Sequence, residues 1–395
     1  MNKYNCCILV IAILFLIVII CIDQFEHTFS IVTSFIIGFI IGLIIRYISE
    51  RFGFIVDGGG ETDGTLTKEE ANNLEYPYTK LFTSDGEIVF AFNKIKESKL
   101  DIVEAFYQSY DTFLEKCDKK FKGLSQIIRV DDDRSGYDFL SDVFNQHIRI
   151  KCKRYDQEHS PLEYWTENKT KVINKCLQNF GSITYKNLSE TLRDMIGECA
   201  TFRASLLSGF IKYFNAKSIL DFSAGWGDRL IAAIANDVEY TGVDPNTELF
   251  PGYQKIIDSF AKDKSKYKLI NSPFEDVELG DIHVDLVFTS PPYFNLEIYS
   301  TDQTQSVMTN PSLDSWYNNF LIVALRKSWK VLNPGGHMVI NISDVPKRSQ
   351  YVLRMRNDVD NFADSKYLGL LPYSRFINNS PIAPRHVWVW QKLTK

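Results

Sequence analysis

Ser218-Ile-Leu-Asp-Phe-Ser-Ala-Gly-Trp-Gly-Asp-Arg229 is where the chain changes character. Ser218 to Phe222 reads as a short buried strand, Leu230 to Ala235 as the start of a helix, and the residues between as a turn. A strand, a glycine-bearing turn and a helix start make a cofactor cradle. Gly225 and Gly227 let the backbone curve tightly and come close to a ligand. Asp221 supports the turn from the strand end. Downstream, Tyr240 to Val243 reads as a second strand that ends in Asp244. An acidic residue about twenty positions after the glycines suits a ribose diol, because one carboxylate accepts two hydroxyl hydrogen bonds. Lys268 to Asp276 reads as a third strand and its loop, where Asp276 or Glu275 would accept from an adenine amino group. Val284 to Phe288 is a fourth, buried strand, and it runs into Thr289-Ser-Pro-Pro-Tyr-Phe294.

The pattern continues to the end of the chain. Ser312 to Leu332 reads as a helix, and Asn333-Pro-Gly-Gly336 turns into a fifth strand, His337 to Ile342. Tyr367 to Leu371 and His386 to Gln391 complete the set, the last alternating like an antiparallel strand. Strands that alternate with helices over 201–395 define an α/β domain with a mostly parallel, seven-stranded, Rossmann-like sheet.

Asp221 to Gly227, Asp244 and Ser290-Pro-Pro-Tyr293 together resemble the S-adenosylmethionine-dependent amino-methyltransferases of the DNA methyltransferase type, phage or viral in character. Ser160-Pro-Leu-Glu-Tyr-Trp165 and Thr201-Phe-Arg203 resemble lead-in segments of phage-type DNA methylases. The resemblance implies a class I methyltransferase fold, S-adenosylmethionine as cofactor and a nucleic-acid base as substrate. It assigns Asp221, Gly225, Gly227, Asp244 and Asp276 to the cofactor, and Ser290, Pro291, Pro292 and Tyr293 to the target. The Ser-Pro-Pro-Tyr version is most typical of enzymes acting on the cytosine amine. Here the glycine cradle precedes the tetrad, the reverse of many such enzymes, so cytosine and adenine both stay open. Asp228 stands where a third glycine is often found.

The chemistry of the tetrad agrees with this. An exocyclic amine is a poor nucleophile because its lone pair is delocalised into the ring. Acceptors on its hydrogens favour the pyramidal, attacking form, and the Ser290 side chain and the Pro291 carbonyl would supply them. Proline aims the carbonyl in advance. Tyr293 offers a face on which a flipped-out base stacks, with Phe294 as a second candidate. The displacement needs alignment rather than a metal or a covalent intermediate.

The rest of the chain supplies context. With 395 residues, 45% hydrophobic and 24% charged, it falls in the globular range and is neither disordered nor collagen-like. A net charge of -5 excludes a histone-like binder but not a local basic groove. The seven cysteines form no CxxC pair, which argues against a zinc site or a disulfide framework. Cys6 to Ile22 and Phe29 to Ile45 are uncharged and read as a transmembrane hairpin over 1–52. Lys3, Arg46 and Arg51 flank it, which puts both termini and the catalytic domain on the cytoplasmic side. A polar linker follows over 53–75, with a capping box at Thr67–Glu70. Residues 76–200 read as a mostly helical accessory region, with helical spacing over Ile102 to Phe121. Asp131–Asp133 reads as a solvated turn. Arg149, Lys151, Lys153 and Arg154 form a basic run, and Lys347, Arg348, Arg354, Arg356, Lys366, Arg375 and Arg385 would line a phosphate-tracking groove.

Abundant Asn, Ile and Lys fit an AT-rich genome such as that of a large DNA virus, hence a viral or host-cell membrane. Three functions compete: a membrane-tethered DNA amino-methyltransferase, favoured; an RNA base (or protein-glutamine) N-methyltransferase; and a non-catalytic membrane adaptor with the same fold.

Overall fold

The computed structural model describes residues 64–78, 82, 84–108, 122–130, 136–345, 350–377 and 380–394. The hairpin expected over 1–52, residues 53–63 of the linker, Asp131–Asp133, Lys347 and Arg348 lie outside them. Among the described residues no helix is long and apolar enough to cross a membrane. Asp63–Lys395 is one compact unit, so the accessory region and the α/β domain share one body.

The unit begins with helices α1 (Lys68–Asn73) and α2 (Asp85–Glu97), a hairpin of β1 (Asp101–Gln108) and β2 (Lys122–Arg129), and helix α3 (Asp142–Arg149). Strand β3 (Lys153–Arg154) and helices α4 (Pro161–Phe180), α5 (Tyr185–Met195) and α6 (Ala204–Tyr213) lead into the sheet. The sheet is laid down by β4 (Ser218–Asp221), α7 (Asp228–Ala235), β5 (Glu239–Asp244), α8 (Phe250–Phe260), β6 (Tyr267–Asn271) and β7 (Val284–Thr289). After the short β8 (Glu297–Ile298) come α9 (Ile322–Val331), β9 (Leu332–Asn341), α10 (Val352–Asp360) and β10 (Ser365–Leu370). The chain closes with β11 (Tyr373–Ile377), β12 (Ser380–Arg385) and β13 (Val387–Lys392).

Local signals explain several boundaries. Thr67 and Glu70 form the expected capping box on α1, and Ser160 with Glu163 forms another on α4, where Pro161 takes the first turn. The helix expected over Ser312–Leu332 comes in three pieces, with a π-helical turn at Trp316–Leu321 before α9.

The large sheet has seven strands in the order β10-β13-β9-β7-β4-β5-β6. β4, β5, β6, β7 and β9 are mutually parallel, while β13 runs antiparallel to both β9 and β10. Side chains alternate between two cores. Ile219, Val339, Val387 and Val389 face α6, α7 and α8, where Phe210, Ile231 and Ile256 are buried. Leu220, Met338, Ile340, Trp388 and Trp390 face the opposite layer with Trp316, Leu325 and Met355. Two of the indoles buried there reach partners: Trp388 donates to the Ile342 carbonyl at 2.9 Å and Trp390 to Asp360 at 2.8 Å.

Two readings are corrected. The helical spacing over Ile102 to Phe121 gives strand β1 at Asp101–Gln108, paired antiparallel with β2. Between β10 and β13 the chain adds an unexpected hairpin, β11–β12, whose first strand lies parallel to β2. The result is a second sheet of order β1-β2-β11-β12. Pro381 and Pro384 make β12 look like a loop. It is a strand because it sits at the sheet edge, where a missing N–H costs no ladder bond. The basic run is corrected too. Arg149 is buried, paired with Asp142 at 2.6 Å and Glu198 at 2.7 Å, so it is a core ion-pair residue.

Candidate active site

A cavity of about 370 Å³ lies across the C-terminal ends of β4, β5, β6, β7 and β9. The strand order reverses between β4 and β7, and a crevice opens there because the connections leave in opposite directions. One side is the turn between β4 and α7. Gly225 (φ 61°) and Gly227 (φ 100°) sit in the left-handed region. At Gly227 a Cβ would also stand 2.7 Å from Ile256 Cδ1, inside contact distance.

The turn is held from four directions. Asp221, fully buried below it, accepts from Arg229 Nε at 2.6 Å, Tyr240 Oη at 2.8 Å and the Ser223 amide at 3.3 Å. Arg229 also donates to the Ser223 carbonyl. Asn145 on α3 donates to the Trp226 carbonyl at 2.8 Å, and Trp226 Nε1 donates to the Ala200 carbonyl at 3.0 Å. Tyr253 on α8 donates to the Gly225 carbonyl. Gly225 N–H donates to Asp244 Oδ2 at 2.9 Å. Asp221 therefore does not line the cavity; it positions the turn through Arg229 and Tyr240. The accessory region, through Asn145 and Ala200, is part of the cradle.

Asp244 lines the cavity at the end of β5. Its other oxygen accepts from the Asn246 amide at 3.0 Å, so each oxygen keeps lone pairs for a ligand. Burial outweighs these two bonds and pushes the carboxyl up to about 6. Beyond β6, Pro273, Phe274 and Glu275 line the wall, and Lys327 donates to the carbonyls of Phe274 and Glu275 at 2.9 and 2.8 Å. Phe274 packs on Phe222 with centroids 5.3 Å apart. Asp276 is exposed and does not line the cavity, so of the two acids proposed there the structure brings in Glu275.

Asp228 takes the first position of α7 and lines the cavity floor, fully buried. Ser141 Oγ lies 2.5 Å from Oδ1, and the Phe202 amide donates to Oδ2 at 3.2 Å. Burial pushes its carboxyl up to about 7. A raised folded-state pKa means that the folded chain binds the proton more tightly. Stability is therefore highest below the unfolded value near 4 and falls as pH rises toward 7. Asp244 acts in the same direction. Asp228→Asn keeps both contacts, with the amide donating to Ser141, and removes the titration. It should flatten the fall in melting temperature between pH 5 and pH 8, and stabilise the chain at pH 8 by about 4 kcal/mol. Melts that decline in parallel for the two proteins would contradict this.

Ser290, Pro291, Pro292 and Tyr293 all line the cavity after β7. Phe294 does not. Its positive φ of 53° turns the side chain away, into the core against Trp316 at 5.7 Å. Asn341, at the end of neighbouring β9, ties the tetrad at two points. Its Nδ2 donates to Ser290 Oγ at 3.1 Å, and its carbonyl accepts from Tyr293 Oη at 3.2 Å. Asn341 thus bridges Ser290 and Tyr293, and the Tyr293 phenol also feels the Ser290 side chain beside it. Asn341 is buried and lines the cavity, and its Oδ1 has no partner among the described residues. Nothing in the Asn-Ile-Ser run marks it in sequence; the Thr289↔Ile340 pairing of β7 with β9 brings it beside Ser290. The far wall comes from Arg154 on β3 and Glu297 on β8, which pair across those strands, and from Pro384 and Arg385 on β12.

The strand order, with its one antiparallel strand and a cavity at the reversal, defines a class I methyltransferase fold. No family model matches the chain, and no curated protein matches it by sequence. Among solved structures it is similar to an rRNA methylase from Streptococcus thermophilus, at 14% identity over 50% of this chain and 100% of that one, TM-score 0.32. It is similar also to TrmN from Thermus thermophilus, at 13% over 53% of this chain and 67% of that one, TM-score 0.34. The CcbJ methyltransferase from Streptomyces caelestis matches at 13% over 48% and 88%, TM-score 0.33. The fold assignment rests on the strand order and not on these likenesses.

Proposed function

We propose that the chain is an S-adenosylmethionine-dependent methyltransferase acting on the exocyclic amine of a nucleic-acid base, in DNA before RNA. The bridge from Ser290 through Asn341 to Tyr293 carries the reading. Asn341 donates to Ser290 Oγ, and the neighbouring Tyr293 phenol oxygen is an acceptor toward which the Ser290 hydroxyl can turn its hydrogen. What Ser290 has left for a ligand is a lone pair. Beside the Pro291 carbonyl, that makes a pair of acceptors, which suits a group bringing two hydrogens and does not suit a carbonyl oxygen. Tyr293, its hydroxyl tied back to Asn341, presents its ring as a stacking face.

The opposite half of the cavity fits the cofactor. Gly225 gives close backbone approach, Asp244 suits the ribose diol, and Pro273, Phe274 and Glu275 offer an apolar wall with one carboxyl for the adenine amine. Bound there, S-adenosylmethionine would supply a sulfonium methyl: an N–C bond would form as the S–C bond breaks, leaving a thioether, and the methylated nitrogen would release its proton to water. Ser290 and Pro291 hold the amine with its lone pair toward that methyl, and the stacked Tyr293 fixes the plane of the base. The same reading keeps the two-pass hairpin over 1–52, with both termini and the catalytic unit on the cytoplasmic face of a viral or host membrane.

The full chain, incubated with methyl-labelled cofactor and unmethylated DNA or RNA, tests this after digestion to nucleosides and mass analysis. Label on a cytosine or adenine amine in DNA is the expected result. Label only in RNA would move the activity to that polymer, and label on a ring carbon would overturn the amine assignment. No label in either polymer, with cofactor still bound, would leave the adaptor or a protein substrate in its place.

A further inference from the structure

Of the seven late basic residues, Arg385 is the one the fold delivers to the cavity among the described residues. Arg354 pairs with Asp314 at 3.3 Å and Arg356 with Asp360 at 3.0 Å, both away from the cavity lining. Arg385 ends β12 and sits directly across from Tyr373 in the register of the small sheet. Its guanidinium feels the phenol of buried Tyr373 most, then that of Tyr293, with Glu297 weaker. Glu297 is occupied elsewhere, accepting from the Ala200 amide at 2.9 Å and from Tyr299 Oη at 2.7 Å. A guanidinium beside neutral hydroxyls keeps its full charge and its donors for a ligand.

The hairpin that carries it is braced. Ser374 Oγ bonds both the amide and the carbonyl of Ile382 at 2.8 Å. His386, the next residue after Arg385, bonds Ser343 on the cavity wall at 3.2 Å. Arg385 is more than a third exposed, at the mouth rather than the floor. A positive group fixed there, on the Tyr293 side of the cavity, faces whatever chain continues out of the site from a base stacked on that ring.

We propose that Arg385 binds a phosphodiester flanking the target base, which makes the β11–β12 hairpin the element that grips a nucleic-acid strand. The inference rests on the nucleic-acid reading above, but its test is a binding measurement that needs no methyl transfer. The full chain and Arg385→Gln would be titrated with fluorescein-labelled oligodeoxynucleotide at several salt concentrations and read by anisotropy. Losing one phosphate contact should weaken binding roughly tenfold at low salt and reduce the slope of log Kd against log salt by about 0.9. Arg354→Gln, an exposed arginine paired with Asp314, should leave the slope unchanged. Tyr373→Phe, which removes the hydroxyl opposite Arg385, should weaken binding with little change of slope.

An unchanged slope in Arg385→Gln, or no binding by the parent chain, would overturn the proposal even if a base is methylated. A reduced slope in a protein that methylates no base would uphold the phosphate site while the amine-transfer reading fails. The same titration with RNA distinguishes which strand the hairpin prefers.

Discussion

Asp244→Ala should lower cofactor affinity at least 100-fold while leaving the chain folded. The carboxylate is placed to accept two hydroxyl hydrogen bonds from one ribose, and charge-assisted bonds contribute about 1.5–3 kcal/mol each. It also accepts from the Gly225 and Asn246 amides, so its removal leaves the cradle turn without its tie to β5. Titration calorimetry with S-adenosylmethionine would measure the loss, and circular dichroism would show that the fold persists. The wild-type protein should carry a second signature. Burial holds this carboxyl up at about 6, and the diol binds the ionised form. Affinity should therefore be at its plateau above that pH and weaken roughly tenfold per unit below it. Asp244→Ala should lack the dependence. Binding by the variant within a factor of three of wild type would remove Asp244 from the cofactor site.

Tyr293→Ala should reduce kcat/KM by about 1,000-fold or more with cofactor affinity unchanged. The stacking face is worth about 1–3 kcal/mol per base, and misalignment of the amine adds to that loss. Tyr293→Phe separates the two contributions. It keeps the ring but removes the hydroxyl that donates to Asn341 and offers Ser290 an acceptor. Ser290 is then free to turn its hydrogen toward the substrate, where it opposes an amine instead of accepting from it. The expected loss is about 10- to 100-fold in kcat with little change in KM. Asn341→Ala, which removes the donor to Ser290, should resemble Tyr293→Phe. Single-turnover assays with labelled cofactor would measure all three. Full activity in Tyr293→Ala would sink the tetrad assignment, and full activity in Tyr293→Phe would sink the role of its hydroxyl.

The cradle and the tetrad were legible in the chain because each is a contiguous strand-and-turn signal. Gly225 and Gly227 have positive φ as such a turn requires, Asp244 sits at its strand end, and Ser290 to Tyr293 line the cavity. Where local reading failed, a partner distant in sequence decided. Asp276 and Glu275 are adjacent in the chain and equivalent as acceptors; the direction each side chain takes after β6 follows from packing around Phe274 and Lys327. Asp221 reads as a cofactor residue by position, yet Arg229 and Tyr240 occupy it.

What the chain determined by itself was the run of strands, their burial and the two short motifs, because the alternation of side chains and the conformations of Gly and Pro act between near neighbours. Tertiary structure alone decided the rest of the cavity. Asn341 meets Ser290 through strand pairing, and Arg385 reaches the mouth because β11 pairs with β2 across most of the length of the chain. Such contacts depend on which strand edges are left open once the large sheet has formed, and no window of neighbouring residues contains that information.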